Sequence, residues 1–112
     1  MLVVEDDAAV TQLLETALEG RGADVTIASN GVELTAAMAN GPYHAALVDL
    51  SPIAEDTEGA IARLRNSSPG IDLVLITGSA DRLPEAVAAE QMKLVRKPFE
   101  LNEVLAALSK KA

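Results

Sequence analysis

The stretch Ala45-Ala46-Leu47-Val48-Asp49-Leu50 decides how this chain is read. Four apolar residues run straight into one carboxylate, with Gly41-Pro42 before them and Ser51-Pro52 after. A short apolar run between turn residues is the mark of a strand buried on both faces. Its acid stands at the carboxyl end, the edge of an open α/β sheet where ligands and chemistry collect. Three other apolar runs end in polar residues. Leu2-Val3-Val4 leads to Glu5-Asp6-Asp7, Leu73-Val74-Leu75-Ile76 leads to Thr77-Gly78-Ser79, and Leu94-Val95 leads to Arg96-Lys97-Pro98. Where these ends meet, one site forms around Asp49.

Outward from that strand, two kinds of segment alternate. Strands are expected at 2–5, 24–28, 45–49, 71–76 and 92–95. Helices are expected at about 8–20, 31–40, 57–66, 81–90 and 99–110. The first helix carries Val10, Leu13, Leu14, Ala17 and Leu18 at helical spacing, and Gly20-Arg21-Gly22 stops it. Val32, Leu34, Ala37 and Met38 form the inner side of the second, Ala60, Ile61 and Leu64 that of the third. Asp81-Arg82-Leu83-Pro84 opens the fourth with a proline in its first turn, and Ala86-Val87-Ala88-Ala89 within it is a partner-face candidate. Leu101, Val104, Leu105 and Leu108 line the fifth. The segment 50–57, rich in Ser, Pro and acid, reads as a loop.

Five β-α units in strict alternation imply a parallel sheet with helices on both faces and right-handed crossovers. The second strand alternates apolar and polar residues, which suits a sheet edge, whereas the first and third are wholly apolar. The expected fold is therefore α/β, a flavodoxin-like (βα)5 doubly wound parallel sheet in the order 2-1-3-4-5. Strands one and three then lie side by side, and Asp6, Asp7 and Asp49 converge.

The chain of 112 residues has room for one domain, expected over 1–112. Only 2% of it is aromatic, so the core must be Val, Leu, Ile and Ala. There is no cysteine, which removes thiolate metal sites and disulfides. A net charge of −8 argues against direct nucleic acid binding, which needs clustered Lys and Arg. No apolar run approaches the ~18 residues of a membrane span, so a cytoplasmic setting is expected. The ends lie flush with predicted elements, with no leader before the first strand, as expected of a piece cut from a longer chain. His44, the lone histidine, reads as a rim residue without a role.

Carboxylates crowded at one sheet edge repel one another, and a hard dication removes that penalty. Mg2+ suits the site because it takes one or two carboxylates and keeps several waters. A carboxylate is also a nucleophile toward phosphorus, giving an aspartyl phosphate. Such a transfer needs positive charge on the phosphoryl oxygens, from a metal and a lysine. Lys97 ends the fifth strand and Thr77 the fourth, where its hydroxyl can donate to a phosphoryl oxygen.

The ordered set Glu5-Asp6-Asp7, Asp49, Thr77 and Lys97-Pro98-Phe99 resembles the receiver domain of two-component response regulators, over the whole chain. The resemblance implies a signalling domain and not an enzyme. It makes Asp49 the phosphoacceptor, Asp7 a direct Mg2+ ligand, Asp6 a ligand partly through water, and the backbone carbonyl of Ser51 the third protein ligand. Thr77 becomes the switch hydroxyl and Lys97 the lysine that pairs with the phosphoryl group, followed by a proline whose peptide bond is usually cis in the family. The implied phosphoryl donor is a sensor histidine kinase or a histidine phosphotransfer protein. The implied output face is the fourth helix, fifth strand and fifth helix, used by a partner or a homodimer.

The sequence departs from the family pattern at several places. Leu94 stands where an aromatic switch residue is usual. Pro52 comes one position early, Gly59 comes two positions late, and Glu90-Gln91-Met92 replaces the glycine before the fifth strand. Ser51 and Ser79 occupy the positions that set self-dephosphorylation. Two other readings stay open. One is a pseudo-receiver that binds proteins without being phosphorylated. The other is an aspartate-nucleophile phosphohydrolase, which would need a second Asp where Ser51 stands. A stand-alone regulator and the carboxyl-terminal domain of a hybrid histidine kinase are equally compatible with the chain.

Overall fold

The structure, a computed structural model, describes residues 1–77, 93–96 and 99–109. The predicted helix from Asp81 to Glu90, its Ala86–Ala89 face, Ser79, and the pair Lys97-Pro98 with its expected cis bond lie outside the described residues. Five strands form one sheet: β1 (Leu2–Val4), β2 (Thr26–Ala28), β3 (Ala45–Asp49), β4 (Asp72–Thr77) and β5 (Lys93–Arg96). All pairings are parallel, in the order β2-β1-β3-β4-β5. This is the flavodoxin-like arrangement expected from the alternation, with the amphipathic strand at the edge.

Successive strand residues face opposite sides of a sheet, so each side has its own core. Leu2, Val4, Ala46, Val48, Leu73 and Leu75 pack with Leu34 and Ala37 of α2 (Gly31–Met38) and Ala60, Ile61 and Leu64 of α3 (Thr57–Ser67). Val3, Leu47, Val74, Ile76 and Val95 pack with Leu14 and Leu18 of α1 (Ala8–Glu19) and Val104 of the C-terminal helix (Leu101–Ser109). Each central strand is thus enclosed on both faces, which is why its sequence is an uninterrupted apolar run. Among the described residues, no helix is long and apolar enough to cross a membrane.

Helix starts follow local chemistry. Asn30 caps α2 by accepting from the Glu33 amide at 2.9 Å, and Asp56 caps α3 by accepting from the Gly59 amide at 3.1 Å. After α1 the chain turns through Gly22 at φ +89°, a conformation that suits glycine. Two residues expected inside are outside: Leu13 is 49% exposed and Val32 81%. The buried seam of α1 runs through Leu14 and Leu18, four residues apart, and Leu13 sits about 100° around the helix from Leu14. Val32 lies in the first turn of α2, at the carboxyl edge of the sheet, past the strand that precedes it.

The segment 50–57, expected to be a loop, holds a 3-10 helix over Ser51–Asp56 that runs on into α3. Leu50 already has helical angles, φ −74° and ψ −20°. Pro52 comes next but one, with its φ fixed near the helical value. Acidic composition was a weaker guide here than one well-placed proline.

Candidate functional site

The carboxyl edge of β1 and β3 builds the site. Val4 pairs with Val48, so the next residues, Glu5 and Asp49, stand side by side. Pairing continues past the strands: the Glu5 amide donates to the Ala28 carbonyl at 3.0 Å, and the Leu50 amide to the Ile76 carbonyl at 3.1 Å. Both acids are enclosed by the flanking elements, Glu5 at 2% exposure and Asp49 at 1%. Asp6 is exposed at the mouth. One carboxylate oxygen from each of Glu5, Asp6 and Asp49 lies within 4.8 Å of the other two.

This grouping differs from the expected acidic pair. Asp6 and Asp49 do meet, but Glu5 takes the place given to Asp7, and Asp7 stands outside the cluster. Its carboxylate is used by α1, where Oδ1 accepts from the amides of Ala9 at 2.9 Å and Val10 at 3.3 Å. The Asp7 carbonyl also accepts from the Thr11 hydroxyl at 2.8 Å. An Asp immediately before a helix satisfies orphan amides and meets the positive end of the helix dipole. Glu5 was missed because it reads as the last residue of a strand. Register would have found it: Glu5 comes after the run 2–4 as Asp49 comes after 45–48, and the two runs are level.

Asp49 is held in part by the chain that follows it. The Ser51 amide donates to Asp49 Oδ1 at 3.0 Å, closing a turn over the end of β3. Asp49 also pairs in register with Ile76, which puts Thr77 one residue further along the neighbouring strand. Thr77 is 6% exposed and faces Arg96 in the β4–β5 register. Lys97, the expected phosphoryl-pairing residue, comes after Arg96 and lies outside the described residues. The Ser51 carbonyl belongs to the first turn of the 3-10 helix.

Three carboxylates, two of them buried, form an oxygen-only donor set of high negative charge. That chemistry fits a hard dication such as Mg2+ and fits no soft metal. Asp6, Asp49 and Glu5 are the groups that would hold or orient it.

The whole matching span then decides the family. Residues 1–109 match the model of the response regulator receiver domain. The chain belongs to the response-regulator receiver family. The receiver is similar to the uncharacterized transcriptional regulatory protein YkoG of Bacillus subtilis, 32% identical over 111 residues, 96% of this chain and 48% of that protein. It is also similar to the DNA-binding transcriptional regulator NtrC of Salmonella typhimurium, 30% identical over 96% of this chain and 24% of that protein. The chain thus spans about half of one relative and a quarter of the other. Among solved structures it resembles a response regulator from Burkholderia pseudomallei, with a phosphorylated aspartic acid, calcium ion and citrate. That match has a TM-score of 0.78 at 27% identity, covering 96% of this chain and 64% of the other.

Proposed function

We propose that residues 1–112 form a phosphoacceptor receiver domain of two-component signalling, with Asp49 as the residue modified. The observation that carries this is the Glu5–Asp6–Asp49 cluster, with a buried Asp49 at the end of the central strand. The donor is the phosphohistidine of a sensor histidine kinase or a phosphotransfer protein. An Asp49 carboxylate oxygen attacks phosphorus, the P–N bond to the imidazole breaks, and the imidazole nitrogen keeps the electron pair and takes up a proton. One Asp49 oxygen is held by the Ser51 amide, which fixes the attacking carboxylate.

A Mg2+ held by Asp6, Asp49 and Glu5, directly or through water, supplies positive charge against the phosphoryl oxygens. Thr77 donates its hydroxyl to one of those oxygens, and Lys97 pairs with another. Asp7 has a capping role and is not a ligand. With Ser51 where a phosphohydrolase needs its acid/base, the domain stores a phosphoryl group rather than turning over a substrate. The signal leaves through a partner or a second copy docked on the face that includes β5 and the C-terminal helix, and the resulting change is a population shift.

Intact mass after incubation with acetyl phosphate and Mg2+ tests this reading. One added phosphoryl group is expected for the wild type and none for Asp49→Asn. No added mass on the wild type would make the domain a pseudo-receiver that only binds proteins.

A further inference from the structure

A crevice of about 470 Å³ opens between the start of α2 and the 3-10 helix that follows β3. That volume lies within the usual span of ligand sites, roughly 300–1,000 Å³. Its base is apolar and belongs to the core, with Ile53 5% exposed and Ala60 3%. Val32 and Pro52 carry the apolar lining outward, and Val32 is 81% exposed. A lone valine on a surface needs no explanation, but one that continues an apolar wall down to the core does.

Acid borders this slot. Glu55 and Asp56, both exposed, are part of its lining. At Ser51 it reaches the carboxylate cluster, since the Ser51 amide donates to Asp49 Oδ1 at 3.0 Å. Arg63, the one base among the described lining residues, faces Asp56 at 3.5 Å, so its charge is already answered. The walls are tied down as well. The Thr57 hydroxyl donates to the Ile53 carbonyl at 3.1 Å, Asp56 caps α3 and Asn30 caps α2. A slot built in advance loses little freedom when it is filled. The early Pro52 and the acids after it, which set the segment 50–57 apart in the sequence, therefore fall on one surface feature.

We propose that this crevice docks a protein partner presenting an aliphatic side chain flanked by lysine or arginine. The aliphatic group covers Val32 and Pro52, and the flanking cations pair with Glu55 and approach the carboxylate cluster. Charge decides against the other broad classes of occupant. Nucleic acid and anionic membrane both bring phosphate to a carboxylate-lined slot, on a chain of net charge −8. The crevice shares no lining residue with β5 or the C-terminal helix, and recognition there requires no phosphoryl group on Asp49.

The test is titration of the 15N-labelled full chain with the peptide acetyl-Lys-Lys-Leu-Lys-Lys-amide, followed by amide chemical shifts. Millimolar Mg2+ is present throughout, so that the peptide does not merely neutralise the carboxylate cluster. Shifts should concentrate at Asn30, Val32, Ser51, Ile53 and Glu55. Val32→Ser and Glu55→Lys should each weaken binding by about three- to tenfold, as should Ala in place of the peptide's Leu. Both variants should gain mass from acetyl phosphate as the wild type does, which separates this surface from the chemistry at Asp49. Shifts confined to Glu5, Asp6 and Asp49, or no shifts at all, overturn the proposal. So does equal affinity for the Leu and Ala peptides, or wild-type affinity in Val32→Ser.

Discussion

Asp6 and Asp7 are adjacent and chemically identical, yet Asp7 caps α1 while Asp6 lies in the carboxylate cluster, so replacing each in turn is a sharp test of the proposed cation site. Asp7 Oδ1 accepts two α1 amides, at 2.9 and 3.3 Å. Replacing an N-cap Asp by Ala costs about 1 kcal/mol, within a range of roughly 0.5–2. For a domain of 112 residues that is a fall in Tm of about 4 °C. Asp7→Ser keeps an acceptor oxygen and should restore most of the loss. Neither change should move Mg2+ affinity by more than about twofold, since Asp7 lies outside the carboxylate cluster. Asp6→Ala should do the reverse. It removes one of three mutually repelling acids, so stability without metal holds or rises, while Mg2+ affinity falls about tenfold or more. Thermal melts with and without Mg2+, with calorimetric titration, read both quantities. Equal loss of Mg2+ binding in Asp7→Ala and Asp6→Ala would refute the assignment, as would an Asp7→Ser melting no higher than Asp7→Ala.

Gly59→Ala should destabilise by about 1 kcal/mol, because an added Cβ would lie 2.6 Å from Asp56 Oδ1 and displace the α3 cap. Combined with Asp56→Ala it should cost less than the sum, as a double-mutant cycle of melting free energies would show. Asp49→Asn should raise Tm in metal-free buffer and abolish the Mg2+-dependent gain. Two unit charges 4.8 Å apart repel by about 3.5 kcal/mol at an effective dielectric of ~20, and Asp49 has two such acids within that distance, so the relief is on the order of a few kcal/mol. Leu47→Ala, at a fully buried position in the central strand, should cost about 2–5 kcal/mol in urea melts and leave little folded protein at 37 °C.

The sheet order was legible because burial writes itself into the sequence. Strands such as 45–49 and 72–77, covered on both faces, cannot carry a polar residue until they reach an edge. Strand ends therefore announced themselves as the first acid or hydroxyl, and Asp49 and Thr77 were found that way. The same rule, applied to β1, should have stopped at Glu5. The adjoining Asp-Asp pair masks that end, because a carboxylate just before a helix has a local use as a cap and looks the same in sequence as one in a site. Leu13 and Val32 were misplaced for a different reason: helical spacing identifies a face but does not say how wide the covering sheet is. The 3-10 helix over Ser51–Asp56 was hidden because short helices depend on backbone bonds that leave no periodic signature.

The strand β5 is where a change at the acid edge would have to be read, and its residues limit how. Leu75 pairs with Leu94 and Thr77 with Arg96. Alternate residues share a face, so Thr77, Leu75 and Leu94 lie on one side of the sheet, with Leu94 one diagonal step back from Thr77. The start of β5 is fixed, since Lys93 Nζ donates to Asp72 at 3.0 Å and to the Ala107 carbonyl at 2.6 Å. Val95 is 6% exposed and sealed in the core, whereas Leu94 is 39% exposed. On the proposed phosphoacceptor reading, a movement of Thr77 toward a phosphoryl group would be felt outside the core first at Leu94. An aliphatic side chain has no ring to rotate and no hydroxyl to bury. Its states differ only in the apolar area they present, so on that reading the signal would be read by a partner that covers apolar surface there. Leu94→Ala should accordingly cost less than about 1 kcal/mol and leave phosphoryl uptake at Asp49 unchanged, while weakening capture of the partner by the phosphorylated form. A slower gain of mass from acetyl phosphate in Leu94→Ala would mean that position 94 acts on the chemistry itself, and the separation of uptake from output argued here would fail.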